Sequence, residues 1–416
     1  MTRRVVLAIS GAGANDAIRG MVTAITDAIS SLGVPIVHVT AERAELNYAV
    51  EQMRAGNVAF GFTWLGTGQF LPVTSDDRTE TRNAWEAYEV PLLKYHGDIP
   101  AYFEERHRDT PSNSVNLYPA AEFVAYRERW MPDQKAMTAL VPPLPLMPMN
   151  ERDVDFDVRR RGKVIFLKNG NSPDDLRALW QERLPRSVAR LLDDLVDATC
   201  PGSLRGDTIN LGDAVAEAMR VKDIEPRTMR SFAAFLTAQL DDYLRRVKSN
   251  MITRALLDLP VIIQGDHWDH VDFRGRRAVH VPGQDYSSSQ AIFARELGII
   301  DMSPNVVTCG HERVYRAAGA YSLALTNRQS WIERELPGHQ DLTFDFTPES
   351  IAERVDAVLQ DPAHYIELAR SFGRDFRRRY PAEAFANHVI DLAELAVLHY
   401  GTAKPSLQPF FVWPRS

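Results

Sequence analysis

The chain has 416 residues, too many for one compact core and enough for two domains of about 150–200 residues each. A hydrophobic share of 45%, a charged share of 25% and a net charge of −7 describe an ordinary globular protein, with no global positive field to gather nucleic acid. The two cysteines, Cys200 and Cys309, exclude a disulfide framework and fit a reducing, cytoplasmic home, and no run approaches the about eighteen apolar residues of an integral membrane segment.

The first 145 residues alternate short apolar runs with amphipathic stretches. Strands are expected at 5–10, 35–39, 58–62 and 91–95, with helices at 18–32, 44–53 and 85–88. This alternation predicts a parallel sheet covered on both faces, which binds ligands at the carboxyl ends of its strands. The loops after Ile9, Phe62 and Tyr95 are therefore the places to look. The first of them, Ser10-Gly11-Ala12-Gly13-Ala14-Asn15, matches a dinucleotide fingerprint only in part, since the full G-x-G-x-x-G spacing is missing.

Val141-Pro142-Pro143-Leu144-Pro145-Leu146-Met147-Pro148 continues neither a helix nor a central strand and reads as a stiff linker. It divides the chain into domains at 1–145 and 146–380. Past it, the strand-and-loop pattern restarts at 163–167 and ends in Lys168-Asn169-Gly170-Asn171. Residues 174–257 read as mostly helical and too long for one crossover, so they form an insertion in the second domain. Strands return at 261–264, 278–281, 302–308 and 323–326, and helices at 351–359 and 382–399. The last helix, within 381–416, is expected to cross back toward the first domain.

The richest segment is Gly310-His311-Glu312-Arg313-Val314-Tyr315-Arg316-Ala317-Ala318, followed by the apolar run 323–326. It sets His, Glu and Arg at a helix start, where free N–H groups and the helix dipole favour anions. A Glu there accepts two hydroxyls of a ribose or sugar. Anion site and hydroxyl acceptor together point to a sugar nucleotide.

Two nucleotide-binding α/β domains and a Pro-rich hinge fit the GT-B architecture, two Rossmann-like domains facing across a cleft. From His311 to Asn327 the sequence resembles the pattern H-[DE]-R-V-x-x-A-M-x-x-G-x-x-x-L-T-D of bacterial glycosyltransferases of the CgeB-like, glycosyltransferase group 1 kind. The resemblance is strongest over 236–380. It departs at Tyr321, where relatives carry Gly, and at Asn327, where they carry Asp; Tyr321 is expected either to fill space beside a ligand or to point away.

The resemblance implies that Glu312 and Arg313 face the donor, with Glu312 on hydroxyls and Arg313 on phosphate. His311 either donates to a phosphate or simply caps the helix start, and Asn327, at the end of the following strand, is counted on the donor side. The bland alternative is an exposed helix held by a Glu312–Arg316 pair. Lys168 and Asn169 fall where the donor diphosphate is touched, although Asn-Gly is also an ordinary turn. Gly265, His267, Trp268 and Tyr286 lie on neighbouring loops. Gly265 permits close approach, and His267, Trp268 and Tyr286 offer faces for a base. In the first domain Gly11, Gly13 and Asn15 would shape the acceptor side. Asp98, with His96 as second choice, stands at a strand end where a general base is needed, unless Asp98 only caps the turn before Pro100.

The expected activity is metal-independent transfer of a sugar from a nucleotide-diphosphate donor, with no cofactor. The acceptor stays open among protein, lipid-linked and polysaccharide glycans. Asp266, His267, Asp269, His270 and Asp272 form a metal-site alternative without an Asp-x-Asp signature. An epimerase or hydrolase on this fold, or a scaffold that has lost donor binding, are the rival readings.

Overall fold

The computed structural model describes residues 4–400 except 12–15, 41, 75–79, 133–134 and 304. The chain divides into two compact units, one running to Leu144 and resuming at Tyr380, the other Pro145–Arg379.

In the first unit six strands form one parallel sheet: β1 (Val5–Ser10), β2 (Ile36–Thr40), β3 (Val58–Trp64), β4 (Leu92–Tyr95), β5 (Ser114–Tyr118) and β6 (Met137–Leu140). Their spatial order is β2-β1-β3-β4-β5-β6. The strands are apolar at successive positions because helices cover both faces: Val6, Leu7, Ala8 and Ile9 are all buried, as are Val58 to Phe62. The order reverses between β1 and β3, so the loops after Ser10 and Trp64 flank this sheet's crevice. Helix Ala382–Tyr400 packs here, on helix Asp16–Ser30 and on β5.

The second unit holds β7 (Val164–Leu167), β8 (Ile262–Gln264), β9 (Val279–Val281), β10 (Gly298–Ile300), β11 (Leu323–Asn327) and β12 (Thr343–Phe344), all parallel. Their order, β9-β8-β7-β10-β11-β12, is that of dinucleotide-binding sheets, with the switch point between β7 and β10. Four helices, Pro173–Arg183, Arg186–Leu204, Leu211–Val221 and Arg230–Leu256, fill the connection from β7 to β8. Ser172 caps the first by accepting the Asp175 N–H at 3.1 Å, with Pro173 in the first turn.

One local reading changes, and several elements were not read. The strand expected at 302–308 is the buried run Gly298–Ile300, and the following residues form a loop that carries Ser303 and Asn305. Strands β5 and β6 and the helix Pro362–Arg379 were not legible as such. Arg377, Arg378 and Arg379 are the last turn of that helix, where cations complement the helix dipole.

Candidate functional site

The carboxyl end of β10 hands the chain to Asp301, which is 0% exposed and whose N–H still pairs with Leu325 O at 2.7 Å. Its Oδ1 accepts Arg313 Nε at 2.7 Å. Arg313 sits in the first turn of helix Glu312–Gly319, which His311 caps: Nδ1 accepts the Arg313 backbone N–H at 3.4 Å. The same nitrogen lies 3.7 Å from Asp301 Oδ1 and 3.7 Å from Glu312 Oε1. Burial, with the positive charges of Arg313, Lys168, Arg245 and Arg316, holds His311 well below the usual imidazole range. A neutral ring whose Nδ1 accepts carries its proton on Nε2, which is therefore a donor.

Four residues on from Glu312, Arg316 lies buried between two aromatic faces. Its guanidinium carbon is 4.0 Å from the Tyr286 ring centre and 4.3 Å from that of Phe293. Nη2 donates to Ser289 Oγ at 2.8 Å and to Tyr286 O at 3.2 Å, and Nη1 faces Glu312 Oε2 at 3.9 Å. Burial raises the Glu312 carboxyl above its ordinary value, against the pull of Arg313 and Arg316. Among the described residues, four buried atoms here have no hydrogen-bond partner: Asp301 Oδ2, Glu312 Oε2, Arg313 Nη2 and Arg316 Nε. An unsatisfied buried polar atom costs about 1–3 kcal/mol, so such a cluster of donors and acceptors marks a place for a polar ligand.

Across the switch point, the end of β7 forms the opposite wall. Lys168 N donates to Gln264 O at 2.9 Å, Gly170 N to Asp266 O at 2.8 Å, and Asn169 Oδ1 accepts Asp266 N at 3.0 Å. Trp268 Nε1 donates to Lys168 O at 2.8 Å. The indole is only 1% exposed, so Trp268 is a wedge beneath the loop and offers no face to a base, contrary to expectation. Both glycines serve this packing. A Cβ on Gly170 would lie 1.9 Å from the indole, and one on Gly265 would lie 2.1 Å from Lys168 O. Tyr286 likewise stacks on Arg316, while His267 is exposed at a positive φ of 65°.

Helix Arg230–Leu256 supplies residues that the sequence did not single out. Asp241, Arg245 and Lys248 share one of its faces. Asp241 Oδ2 meets Arg245 Nε at 2.6 Å, Asp241 Oδ1 accepts Asn305 Nδ2 at 2.8 Å, and Asn305 Oδ1 accepts Lys248 Nζ at 2.8 Å. Charges spaced along a long helix read as a solvated face, which is why this row stayed hidden. Asn327, at the end of β11, holds the same loop by accepting Ser303 N at 2.8 Å.

Tyr321 lies before β11, at the opposite end of that strand from Asn327. It sits at a positive φ of 54°, the conformation a Gly would take without strain. Its ring packs against Gly373, and its hydroxyl accepts Arg377 Nη1 at 2.8 Å. Tyr321 therefore points away from the carboxyl edge of the sheet.

In the first unit, His96 is 1% exposed. Its Nε2 pairs with Asn116 Oδ1 at 3.0 Å, and its ring centre lies 4.3 Å from that of His107 and 5.3 Å from that of Tyr118. Burial and the charge of Lys94 push this imidazole well below its usual range. His96 is thus a packed core residue, which corrects its reading as a base. Asp98 is half-buried in the loop that follows β4. Gly11 is half-buried after β1, and Gly13 and Asn15 lie outside the described residues.

Among the described residues, no three His, Cys, Asp or Glu side chains are grouped to hold a metal. In the segment weighed for that role, Asp266 Oδ1 accepts Gly283 N at 3.0 Å, Asp272 pairs with Arg274 at 2.8 Å, and His270 bonds Asn250. Nor is any helix among those residues long and apolar enough to cross a membrane.

No protein-family model matches the sequence, and no curated protein matches it by sequence. Solved structures do match. A DNA-modifying β-glucosyltransferase, solved with and without uridine diphosphoglucose, is 8% identical with a TM-score of 0.54, covering 94% of this chain and 100% of its own. A T4 phage β-glucosyltransferase bound to UDP-glucose is 7% identical with a TM-score of 0.52, covering 95% and 100%. Sucrose-phosphate synthase from Thermosynechococcus elongatus is 10% identical with a TM-score of 0.49, covering 95% and 100%. At these identities the likeness to the two β-glucosyltransferases carries the fold: the chain has the two Rossmann-like α/β units of the GT-B glycosyltransferases.

Proposed function

We propose that this chain is a glycosyltransferase that takes its sugar from a nucleotide-diphosphate donor bound at the β7/β10 switch point of the second unit. The observation that carries the reading is the set of unpartnered buried donors and acceptors on Asp301, Glu312, Arg313 and Arg316, ringed by the charges of Lys168 and Arg245. A sugar nucleotide presents both an anionic diphosphate and paired hydroxyls, and so matches both halves of that set.

In this reading Arg313, Lys168 and Arg245 neutralise the diphosphate and the charge that builds on it as the glycosidic bond breaks. His311 donates from Nε2 to a phosphate oxygen. Glu312 accepts hydroxyls of the ribose or the sugar. Asn169 and the Gly170 backbone shape the loop beside the phosphates. Charge neutralisation is assigned to these side chains rather than to a divalent ion. Asp98, at the carboxyl end of β4, is the base that takes the acceptor's proton. The T4 phage enzyme of this fold is solved with UDP-glucose, and this favours a uridine donor. Kinship with CgeB-like transferases rests on the His311–Asn327 pattern.

Thermal unfolding against UDP-, GDP-, dTDP- and CMP-sugars, with and without EDTA, tests the reading. A donor at a hundred times its Kd adds about 2.7 kcal/mol of stability. The expected result is a shift with one nucleotide class, lost in Glu312→Ala and Lys168→Ala and indifferent to EDTA. Absence of any shift sinks it, and a shift abolished by EDTA sinks the metal-independent part. Donor hydrolysis or epimerisation without transfer to any glycan, lipid or peptide acceptor would favour a different enzyme on the same fold.

A further inference from the structure

A second cavity in the second unit lies at the carboxyl ends of β11 and β12, beyond the cluster around His311. Lys248, Asn305, Ser203, Thr208, Val306 and Phe346 line it, and so do three half-exposed carboxylates, Asp207, Glu333 and Asp345, whose charges are met by Arg205 and Arg328 at 3.0–3.9 Å. Its volume is about 270 Å³. That is room for a small organic molecule rather than a single water, whose share of liquid volume is about 30 Å³.

Lys248 makes this cavity unusual. The residue is 7% exposed, and its Nζ donates to one partner, Asn305 Oδ1 at 2.8 Å, while lying 4.9 Å from the centre of the Phe346 ring. Among the described residues no carboxylate pairs with it. Asp241, the carboxylate whose charge reaches it, has one oxygen on Arg245 and the other on Asn305. An ammonium has three N–H donors, so two remain for whatever enters the cavity. Burial lowers its pKa to about 8, which still leaves it mostly charged at neutral pH. A buried charge without a counter-ion is costly, and an anion in the cavity removes the cost.

We propose that this cavity is a binding site for a compact anion, a carboxylate- or phosphate-bearing small molecule, with Lys248 as its charge partner. Hydroxyls of Ser203 and Thr208 and the apolar wall of Val306 and Phe346 suit a sugar acid or a sugar phosphate. The site is separate from the donor cluster but joined to it through Asn305 and through the helix face that carries Asp241, Arg245 and Lys248. Its existence does not depend on the transferase reading.

The test is isothermal titration of the full chain with glucose 6-phosphate, glucuronate, inorganic phosphate and neutral glucose. At least one anion is expected to bind with a Kd below 1 mM, on the order of −4 kcal/mol or better, and glucose is expected not to bind. Lys248→Met should weaken that binding at least tenfold, while Arg313→Met leaves it unchanged. Binding by no anion overturns the proposal, as does undiminished binding in Lys248→Met. Loss in Arg313→Met, with the variant still folded by its melting transition, would place the anion in the donor cluster and overturn it too. Should Lys248→Met fail to fold, crystals of the unaltered chain soaked with tungstate decide the matter. Anomalous density within hydrogen-bond reach of Nζ supports the site, and density only around Arg313 refutes it.

Discussion

Removing Arg313 should expose how the donor cluster is held together. Asp301 is 0% exposed, its Oδ1 is 2.7 Å from Arg313 Nε, and its Oδ2 already has no partner among the described residues. In Arg313→Met, the one other titratable group of opposite type within 4 Å of the carboxylate among the described residues is His311, whose Nδ1 lies at 3.7 Å. Breaking a buried pair from one side costs about 3–5 kcal/mol, because the remaining charge is left uncompensated. Arg313 itself is 14% exposed at the side chain and reaches water, so Asp301→Asn should cost less, about 1–2 kcal/mol. The double variant then loses the pair without stranding a charge, and its cost should fall short of the sum by about 2–3 kcal/mol. Urea unfolding combined with hydrogen exchange on helix Glu312–Gly319 reads this locally, since two units need not unfold together. Additivity within about 0.5 kcal/mol would refute the coupling and with it the description of the cluster.

Three further outcomes are expected. The first unit should lose stability on acidification, because burial holds His96 and His107 well below the imidazole range and moves Lys94 from 10.5 to about 7. The unfolded chain then binds protons that the folded one refuses: for Lys94 between pH 10.5 and 7, and for the two histidines below about 6.5. Calorimetry between pH 5 and 6.5 should show a fall of up to about 1.4 kcal/mol per pH unit for each histidine, reduced by one such share in His107→Phe; a flat profile contradicts it. Gly170→Ala should destabilise the second unit by about 1–3 kcal/mol and weaken donor binding, since its Cβ would lie 1.9 Å from Trp268, and unchanged melting speaks against that packing. Tyr321→Phe should cost about 1 kcal/mol by losing the Arg377 hydrogen bond and leave donor affinity as it was; tighter donor binding would show that Tyr321 obstructs the site after all.

What the sequence revealed follows from where its signals were local. Continuous apolar runs at Val5–Ser10 and Val58–Trp64 mark strands buried on both faces, and the helix start at His311 carries its own capping residue. Strand β5 was missed because Ser114 and Asn116 interrupt its apolar pattern, although both are buried: Asn116 Oδ1 pairs with His96 Nε2 at 3.0 Å, while Ser114 Oγ has no partner among the described residues. The strand sought at 302–308 contains Pro304 and several polar residues, whereas the true strand is just three residues of Gly298–Ile300. His96 looked like a base because imidazoles at strand ends often are; only the stacking with His107 and Tyr118 shows it packed inside. Trp268 failed as a stacking face for a similar reason, since sequence carries no sign that Gly170 is the hole it fills. Arg245, Lys248 and Asp241 reach the sheet from a helix many residues earlier, and no local pattern records that juxtaposition.

Donor binding at the β7/β10 switch point is tested by isothermal titration of UDP and UDP-glucose into the full chain and into Arg313→Met and Arg316→Met. One site per chain is expected, with binding unaffected by EDTA and a loss of at least tenfold in each variant, about 1.4 kcal/mol or more. Undiminished binding in both variants, or no binding by any nucleotide sugar, would contradict it.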